Sequence, residues 1–307
     1  MRPEQLVGDV RAEALKGHAA MLLFSASVAG SFSLGALVAN DIAPAALNAG
    51  RFLITAVVLA ALAMVIGGPG RRGYRRADFR APWRYLLLGT LFAGYFVLMF
   101  EALKTASPVS VGAVFTLTPL LTAGFAWLFL RQLLNGWMAL ALAIGAAGAV
   151  WVIFDGDPGA LAAFQLGYGE AIYFFGCVLH AAFTPLLRRL NRGEPALVIT
   201  SLVMAAGFCV LLVYGWSDLR AIQWAALSPL IWFTLLYLAL AANALTVLLL
   251  QFAGQRLPSS KVMAYTYLTP AWIILWELSL GHGVPGALVL PGIGLIALAL
   301  VMLLRQD

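Results

Sequence analysis

Charged residues are scarce in this chain of 307 residues. Asp, Glu, Lys and Arg make up 10% of it and hydrophobic residues make up 63%, whereas a soluble domain has about 25% charged residues. So few charges cannot cover a water-exposed surface. The composition therefore excludes a soluble globular protein and predicts a chain embedded in a lipid bilayer.

Cysteine is also rare, and Cys177 and Cys209 both lie in apolar runs. This excludes a disulfide framework and a Cys-x-x-Cys metal or redox site. Gly-x-Ser-x-Gly, His-Glu-x-x-His and phosphate-loop motifs are lacking as well. We therefore expect no enzyme, no cofactor and no metal ion. The net charge of +6 is explained by basic loops facing anionic lipid rather than by a nucleic-acid partner.

What the chain has instead is a series of long apolar runs bounded by turn-forming and polar residues. Each is long enough to cross about 30 Å of hydrocarbon at about 1.5 Å per residue. No cleavable signal peptide is expected, because the first 18 residues are too polar. The sequence predicts an all-α integral membrane protein with ten transmembrane helices. The predicted spans are 19–39, 44–67, 83–103, 108–130, 134–154, 168–188, 195–215, 228–250, 258–280 and 284–304.

Basic residues are unevenly distributed among the connecting segments. With the N-terminus in the cytoplasm, sixteen of the 19 Lys and Arg residues fall on the cytoplasmic side, Arg2, Arg71 and Arg72 among them. Lys104 and Arg220 fall outside. Because cytoplasmic loops carry an excess of Lys and Arg, we predict that both chain termini are cytoplasmic.

A Leu-Thr-Pro sequence occurs twice, and Pro270 follows Pro119 by 151 positions, about half of the chain. Five helices per half is an odd number, so the second half enters the membrane from the opposite side. Such an inverted repeat is typical of secondary transporters that bind their solute near the bilayer midplane.

The two prolines predict symmetric kinks. Proline deprives the carbonyl four residues earlier of its helical hydrogen bond, and in lipid that carbonyl must face protein or water. We expect Thr118 and Thr269 to help satisfy the loosened turns, and Pro119 and Pro270 to act as hinges. Purely structural kinks are the alternative, since proline is frequent in membrane helices.

The segments around both prolines resemble a known family. "FTLTPLLTAGFAWLFL" from Phe115, "TYLTPAWIILWEL" from Thr266 and "NAGRF" at 48–52 are similar to EamA-type units of the drug/metabolite transporter superfamily. The resemblance implies two inverted five-helix repeats, 1–156 and 157–307, around a central cavity in a bacterial inner membrane. It is greatest to the YddG-like aromatic amino-acid exporters, although "LRQLL" and "LGHGV" lack the acidic residue of the family's Leu-x-Glu-Arg turn.

Arg51 is the one basic residue deep within a predicted span, about seven residues from the outer end of the second. A charge at membrane depth is costly and is usually paired or functional. Arg51 could attract a substrate carboxylate, but the expected role is a structural pair with Glu101 or Glu277, or extension toward the outer surface.

His180 lies on a polar stripe of the sixth span with Tyr173, Cys177 and Thr184. These residues share one helix face, which we expect to line a cavity or a helix contact. His180 could be a titratable wall of the solute path or an interhelical hydrogen-bonding residue. The sequence leaves both open.

Aromatic and polar residues on several spans predict a mixed binding wall, in which rings such as Trp272 would stack on planar side chains. By contrast, Gly145, Gly148, Gly292 and Gly294 predict surfaces where helices pack closely. The predicted substrate-binding residues are Ser27, Ser31, Tyr95, Met99, Thr118, Tyr173, His180, Tyr237, Asn243, Tyr265, Thr269 and Trp272.

These features predict a monomeric carrier that exports small organic solutes, aromatic and other neutral amino acids above all, by alternating access and without ion coupling. A nucleotide-sugar, sugar-phosphate or drug carrier of the same superfamily is the alternative. A phosphate carrier would need a cluster of inward Lys and Arg residues. An intramembrane enzyme, a different class, would need a nucleophile and base at membrane depth.

Overall fold

The computed structural model describes residues 3–66, 73–133, 135–283 and 285–305. Three of the basic residues counted for orientation, Arg2, Arg71 and Arg72, lie outside the described residues. Within those ranges the chain is helical and contains no β-strand.

Nine long apolar helices in the described ranges could each span a membrane, and three consecutive short helices over 259–279 complete a set of ten. The protein is therefore an all-α, multi-pass membrane protein. The helices are α1 (Pro3–Val38), α2 (Pro44–Ile66), α3 (Trp83–Ala102), α4 (Pro108–Leu130), α5 (Gly136–Ile153), α6 (Tyr168–Leu190), α7 (Ala196–Tyr214), α8 (Pro229–Gly254), α9 (259–279) and α10 (Leu290–Leu304).

Local sequence signals explain where several helices begin. Ser107 accepts a hydrogen bond from the backbone N–H of Ser110 at the start of α4, and Asn135 accepts one from Met138 at the start of α5. Pro108 follows Ser107 and is the first residue of the helix. An N–H at that position would have no acceptor within the helix, so its absence in proline costs nothing.

Contacts between helices follow the two-fold repeat: a pair of helices that is in contact has an equivalent pair, from the opposite halves, that is also in contact. Helix α2 packs on α7 and α5 packs on α10, so each pair joins equivalent helices of the two halves. Helix α3 contacts α6 as α8 contacts α1, and the second part of α4 contacts α6 as the end of α9 contacts α1. This pattern is the one expected of two related five-helix units with a shared centre.

One end of the bundle carries most of the basic residues. There the start of α5 meets the end of α10, where the Trp137 indole donates to the Met302 carbonyl at 3.0 Å. At the opposite end the starts of α4 and α6 meet, where Ser110 donates to Glu170 at 2.8 Å. We call the first the basic end; it carries Arg84, Arg131, Arg188, Arg189, Arg192, Arg256 and Arg305.

Helices α4 and α9 are both interrupted just before their Thr-Pro pair. In α4 the helix ends at Phe115 and resumes at Thr118, and in α9 a 3₁₀ segment covers Tyr265–Leu268. In each case the new helical stretch begins at the threonine, and proline is its second residue. The paired interruptions predicted from the repeated motif are present.

The threonines that satisfy these interruptions are not the predicted ones. Thr116 and Thr266 donate to the carbonyl three residues earlier, at 2.7 and 2.8 Å. The side-chain oxygens of Thr118 and Thr269 are buried and have no hydrogen-bond partner in the described residues. The prediction that Thr118 and Thr269 stabilise the loosened turns is therefore wrong, because neither hydroxyl donates to a backbone carbonyl there.

Helix α8 contains a π-helical segment, Leu240–Leu245, that the sequence did not predict. The wider turn lies between α-helical stretches and contains Asn243. Such segments are rare and often occur at functional sites.

The prediction that the glycines of α5 and α10 form closely packed surfaces is confirmed for three of the four. Gly148 and Gly292 face each other so closely that a Cβ on Gly292 would lie 2.7 Å from the Gly148 carbonyl oxygen. Gly145 packs against the ring of Tyr267, whereas Gly294 has open space around it.

Candidate functional site

A cavity of about 360 Å³ lies between the two halves of the bundle. Its wall is mostly apolar and aromatic, with a small number of polar groups. The lining residues are Phe24, Val28, Ser31, Phe32, Arg51, Phe92, Tyr95, Phe96, Met99, Phe115, His180, Phe183, Thr184, Leu187, Ala196, Thr200, Val203, Met204, Ala242, Asn243, Thr246, Val247, Leu250, Gln251, Val262, Met263 and Thr266.

The cavity extends toward the basic end and stops short of the opposite end. Leu187, Ala196, Gln251 and Val262 line it close to the helix termini of the basic end. Toward the opposite end, the space between the helices is filled by a continuous buried cluster. That cluster includes Val38, Leu47, Phe100, Leu103, Leu211, Ile231 and Leu238. The structure is thus open toward the basic end and closed at the other.

Aromatic rings from α3 and α6 stack along one side of the cavity. The Phe92 and Phe183 ring centroids are 4.7 Å apart and nearly parallel, and Phe96 contacts Phe92 at 4.8 Å. The His180 ring lies 4.6 Å from that of Tyr95. Such a wall can hold a planar or apolar group by stacking.

Arg51 lines the deep part of the cavity and is 1% exposed. Its Nη2 donates to Oδ1 of Asn243 at 2.6 Å, and its Cζ lies 3.6 Å from the centroid of the Phe96 ring. Neither predicted carboxylate partner is used, because Glu101 pairs with Lys104 and Glu277 with His282, each at 2.8 Å. The expected structural ion pair of Arg51 is therefore wrong.

The π-helical segment of α8 places Asn243 toward Arg51. The Asn243 amide also donates to Thr55 at 3.4 Å, and Thr55 donates to the carbonyl of Ala239, the residue before the π-helical segment, at 3.1 Å. These bonds connect α2 of one half with α8 of the other at the floor of the cavity.

His180 lines the cavity, and its Nδ1 has no hydrogen-bond partner in the described part of the chain. The Thr184 hydroxyl of the next turn donates to the His180 carbonyl rather than to its ring. The imidazole therefore contacts rings instead of forming an interhelical bond through Nδ1.

Five predicted residues line this cavity: Ser31, Tyr95, Met99, His180 and Asn243. Ser31 comes from α1, Tyr95 and Met99 from α3, His180 from α6 and Asn243 from α8. The fold brings these helices to a common centre.

Seven predicted residues do not line it: Ser27, Thr118, Tyr173, Tyr237, Tyr265, Thr269 and Trp272. Most of their polar groups are used in contacts between helices. Tyr173 bonds to Tyr95 at 3.0 Å in the closed part of the bundle, and Tyr265 bonds to His18 at 2.8 Å on α1. Thr118 and Thr269 are buried at the helix interruptions.

The remaining three lie where α1 packs on α8 and α9. The Tyr237 hydroxyl donates to the Ser27 carbonyl at 3.0 Å, and the Trp272 indole donates to the Ser25 hydroxyl at 2.9 Å. Ser27 is buried.

Sequence reasoning missed the phenylalanines of the wall. Phe92, Phe96 and Met99 share one face of α3, so the spacing that identified Met99 could also have identified both rings. Phenylalanine is equally suited to lipid, and only the packed structure distinguishes Phe183, in the wall, from Phe175, which is 65% exposed on the same helix.

Comparisons with known proteins agree with this architecture. A family model described as the EamA-like transporter family matches residues 15–154 and again 167–305. The chain is 24% identical over 262 residues to an uncharacterized transporter, YyaM, of Bacillus subtilis (strain 168), covering 85% of each chain. A protein of known crystal structure superposes with a TM-score of 0.66 at 20% identity, over 95% of this chain and 96% of that one.

Proposed function

The chain belongs to the EamA-like transporter family of the drug/metabolite transporter superfamily, and from this premise we propose that it exports amino acids, aromatic and other neutral ones. The aromatic preference would make it functionally similar to the YddG-like branch. The proposed location is a bacterial inner membrane with both chain termini in the cytoplasm.

The observation that carries this proposal is the composition of the central cavity. Its 360 Å³ fall within the range of about 300–1,000 Å³ typical of small-molecule sites. One side is a stack of rings that suits an aromatic or apolar side chain, and a few polar groups at the deep end can bind the head of an amino acid.

Alternating access would move the two halves, 1–156 and 157–307, relative to each other. The interruptions before Pro119 and Pro270 lack some regular helical hydrogen bonds, which suits them as bending points. The structure, open at the basic end, would be the cytoplasm-facing state. We propose that the protein works as a monomer and without ion coupling.

The charge of the cavity argues against phosphorylated solutes. Arg51 is the one Lys or Arg among the lining residues in the described part of the chain. A sugar phosphate or nucleotide sugar carries two or more negative charges and is usually bound by several basic side chains. An enzymatic reaction lacks support as well, since the lining His180 has no serine or cysteine hydrogen-bonded to its Nδ1.

The test is solute exchange by the purified protein in proteoliposomes. We expect exchange of labelled phenylalanine and leucine, no transport of glucose 6-phosphate, and rates that do not depend on a pH gradient. Transport of the phosphorylated sugar without any amino acid would overturn the proposed solute class. Transport that requires a pH gradient and is lost in His180→Ala would overturn the uncoupled mechanism.

A matched pair of variants on α6 tests the aromatic wall. Phe183→Leu removes a ring that lines the cavity, whereas Phe175→Leu removes one that is 65% exposed on the outside of the bundle. We expect Phe183→Leu to lower the preference for phenylalanine over leucine by about two- to tenfold, since a stacked aromatic pair contributes about 0.5–1.5 kcal/mol. Phe175→Leu should keep the wild-type preference.

A further inference from the structure

We propose that the guanidinium of Arg51 binds the carboxylate of the transported solute, so that the solutes of this protein are organic molecules with a free carboxylate. This inference rests on the proposed function and specifies the chemistry of its site. The Arg51 guanidinium is a charged group whose surroundings leave part of its hydrogen-bonding capacity unused.

The guanidinium of Arg51 is buried with an incomplete set of acceptors. Nη2 donates to Asn243, but Nε and Nη1 have no hydrogen-bond partner in the described residues. The Phe96 ring, 3.6 Å away, attracts the positive charge but offers no acceptor for these N–H groups. The unused N–H groups of Arg51 can therefore donate to the oxygen atoms of a bound ligand.

No carboxylate of the described chain compensates this charge. Glu101 pairs with Lys104, Glu277 contacts the imidazole of His282, and Glu170 accepts from Ser110. A buried cation without an anion is strongly unfavourable in a low-dielectric interior. An incoming carboxylate would supply the missing negative charge and can accept two parallel N–H bonds from a guanidinium.

Contacts with residues of two other helices hold the Arg51 side chain in place. The π-helical segment of α8 brings Asn243 to one edge of the guanidinium, and Phe96 covers one of its faces. Both contacts hold the side chain in the deep part of the cavity, beyond the stack of rings seen from the basic end. A solute bound through its carboxylate would therefore have its body beside the stacked rings of Phe92 and Phe183.

The repeat does not supply a second such site. The position 151 residues after Arg51 is Leu202, so the equivalent helix of the second half carries an apolar residue. Among the described lining residues Arg51 alone has a guanidinium, which fits a solute with one acidic group.

Binding to the purified full-length protein in detergent tests the inference with three probes of one shape. These are phenylalanine, phenylalaninamide, in which a carboxamide replaces the carboxylate, and 3-phenylpropionate, which lacks the ammonium group. We expect wild type to bind both carboxylates at least tenfold more tightly than the amide, since a hydrogen-bonded charge of this kind contributes about tenfold to hundredfold in affinity.

Two variants remove the site in different ways. Arg51→Gln deletes the cation, and Asn243→Asp keeps the shape of the side chain but supplies a fixed carboxylate beside Arg51. In both, the preference for carboxylate over amide should fall to within about twofold of equality. In Asn243→Asp the thermal stability should match or exceed that of wild type, because the buried charge gains a partner.

Asn135→Asp is the matched control, since it adds the same charge at an exposed helix start outside the cavity. It should keep the wild-type preference. A wild-type protein that binds amide and carboxylate equally, or an Asn243→Asp protein that retains the carboxylate preference, would overturn the inference.

The same experiments separate this inference from the proposed function. If amino acids are exchanged but Arg51→Gln transports phenylalanine and its amide in the wild-type ratio, the carboxylate site is wrong and the function stands. If no amino acid is transported but 3-phenylpropionate binds in an Arg51-dependent way, the function is wrong and the carboxylate site stands.

Discussion

The Nη2 atom of Arg51 and the Oδ1 atom of Asn243 are 2.6 Å apart, although the residues belong to different halves of the protein. Arg51 lies on α2, and Asn243 lies in the π-helical segment of α8. Because both are buried, this bond is shielded from water and connects the two halves at the floor of the cavity.

Replacing one partner of that bond should lower the free energy of unfolding more than replacing both partners. Asn243→Leu leaves the guanidinium with no side-chain acceptor and should lower the free energy of unfolding by about 1.5–3 kcal/mol. Arg51→Met combined with Asn243→Leu removes the charge as well and should recover most of that loss. Thermal unfolding of the three proteins in one detergent measures the difference. A double variant less stable than Asn243→Leu alone would contradict the assigned role of the bond.

An ion pair at the basic end predicts a pH dependence of stability. Arg84 donates to Glu194 at 2.8 Å, and both side chains are 1% exposed. Burial alone would raise the pKa of the Glu194 carboxyl, but the Arg84 guanidinium and the N–H of Arg192 outweigh it and hold the pKa at about 2. The carboxylate therefore stabilises the fold fully above its unfolded pKa of about 4.5, and this contribution is lost as the pH falls toward 2.

The expected loss is up to ~3 kcal/mol between pH 5 and pH 2. Glu194→Gln should be less stable than wild type at pH 7 and should show a flatter stability profile below pH 5. Asp218→Asn, a change of the same kind at an exposed residue, should follow the wild-type profile. Identical slopes for Glu194→Gln and wild type would show that the pair does not control acid stability.

The contact between α5 and α10 predicts opposite effects for two neighbouring glycines. In Gly292→Ala the new methyl group would lie 2.7 Å from the Gly148 carbonyl oxygen, and relieving this overlap should cost about 1–3 kcal/mol. Gly294→Ala places a methyl group in open space and should stabilise the helix by about 0.5–1 kcal/mol. Melting temperatures that shift in the same direction for both would contradict the packing described.

Because the cavity is open at one end and closed at the other, introduced cysteines should differ in their reactivity toward a water-soluble thiol reagent. In a protein with both native cysteines replaced by alanine, Thr200→Cys should react with a membrane-impermeant thiol reagent added from the cytoplasmic side. Thr200 lines the cavity toward the basic end, whereas Leu47 is 1% exposed in the closed cluster. Leu47→Cys should therefore react slowly from either side, and labelling of Thr200→Cys from the outer side alone would reverse the proposed orientation.

The ten helices were predictable because lipid imposes a length and a composition on every span. The interruptions of α4 and α9 were predictable for the same reason as any proline break, since Pro119 and Pro270 cannot continue the hydrogen-bond ladder. Both features depend on residues close together in the sequence.

The site was less predictable because it depends on which helices become neighbours. Tyr265 and Trp272 were predicted to bind substrate, but both bond to residues of α1 instead of lining the cavity. The π-helical segment contains no proline or glycine that would indicate it, and the partners of its Asn243, Arg51 and Thr55, lie on another helix. A single sequence does not reveal such contacts.

The missing counterpart of Arg51 in the second half has a consequence for how a solute passes through. The helix packing is nearly two-fold symmetric, but the binding site is not. A solute whose carboxylate is bound at Arg51 has its head group toward the closed end of the cavity and its side chain toward the basic end. It would enter from the basic end head first and, once the opposite end opened, leave head first as well, with its side chain trailing throughout. The solute would never have to tumble inside the protein, and the bulk of the side chain would limit entry more than release.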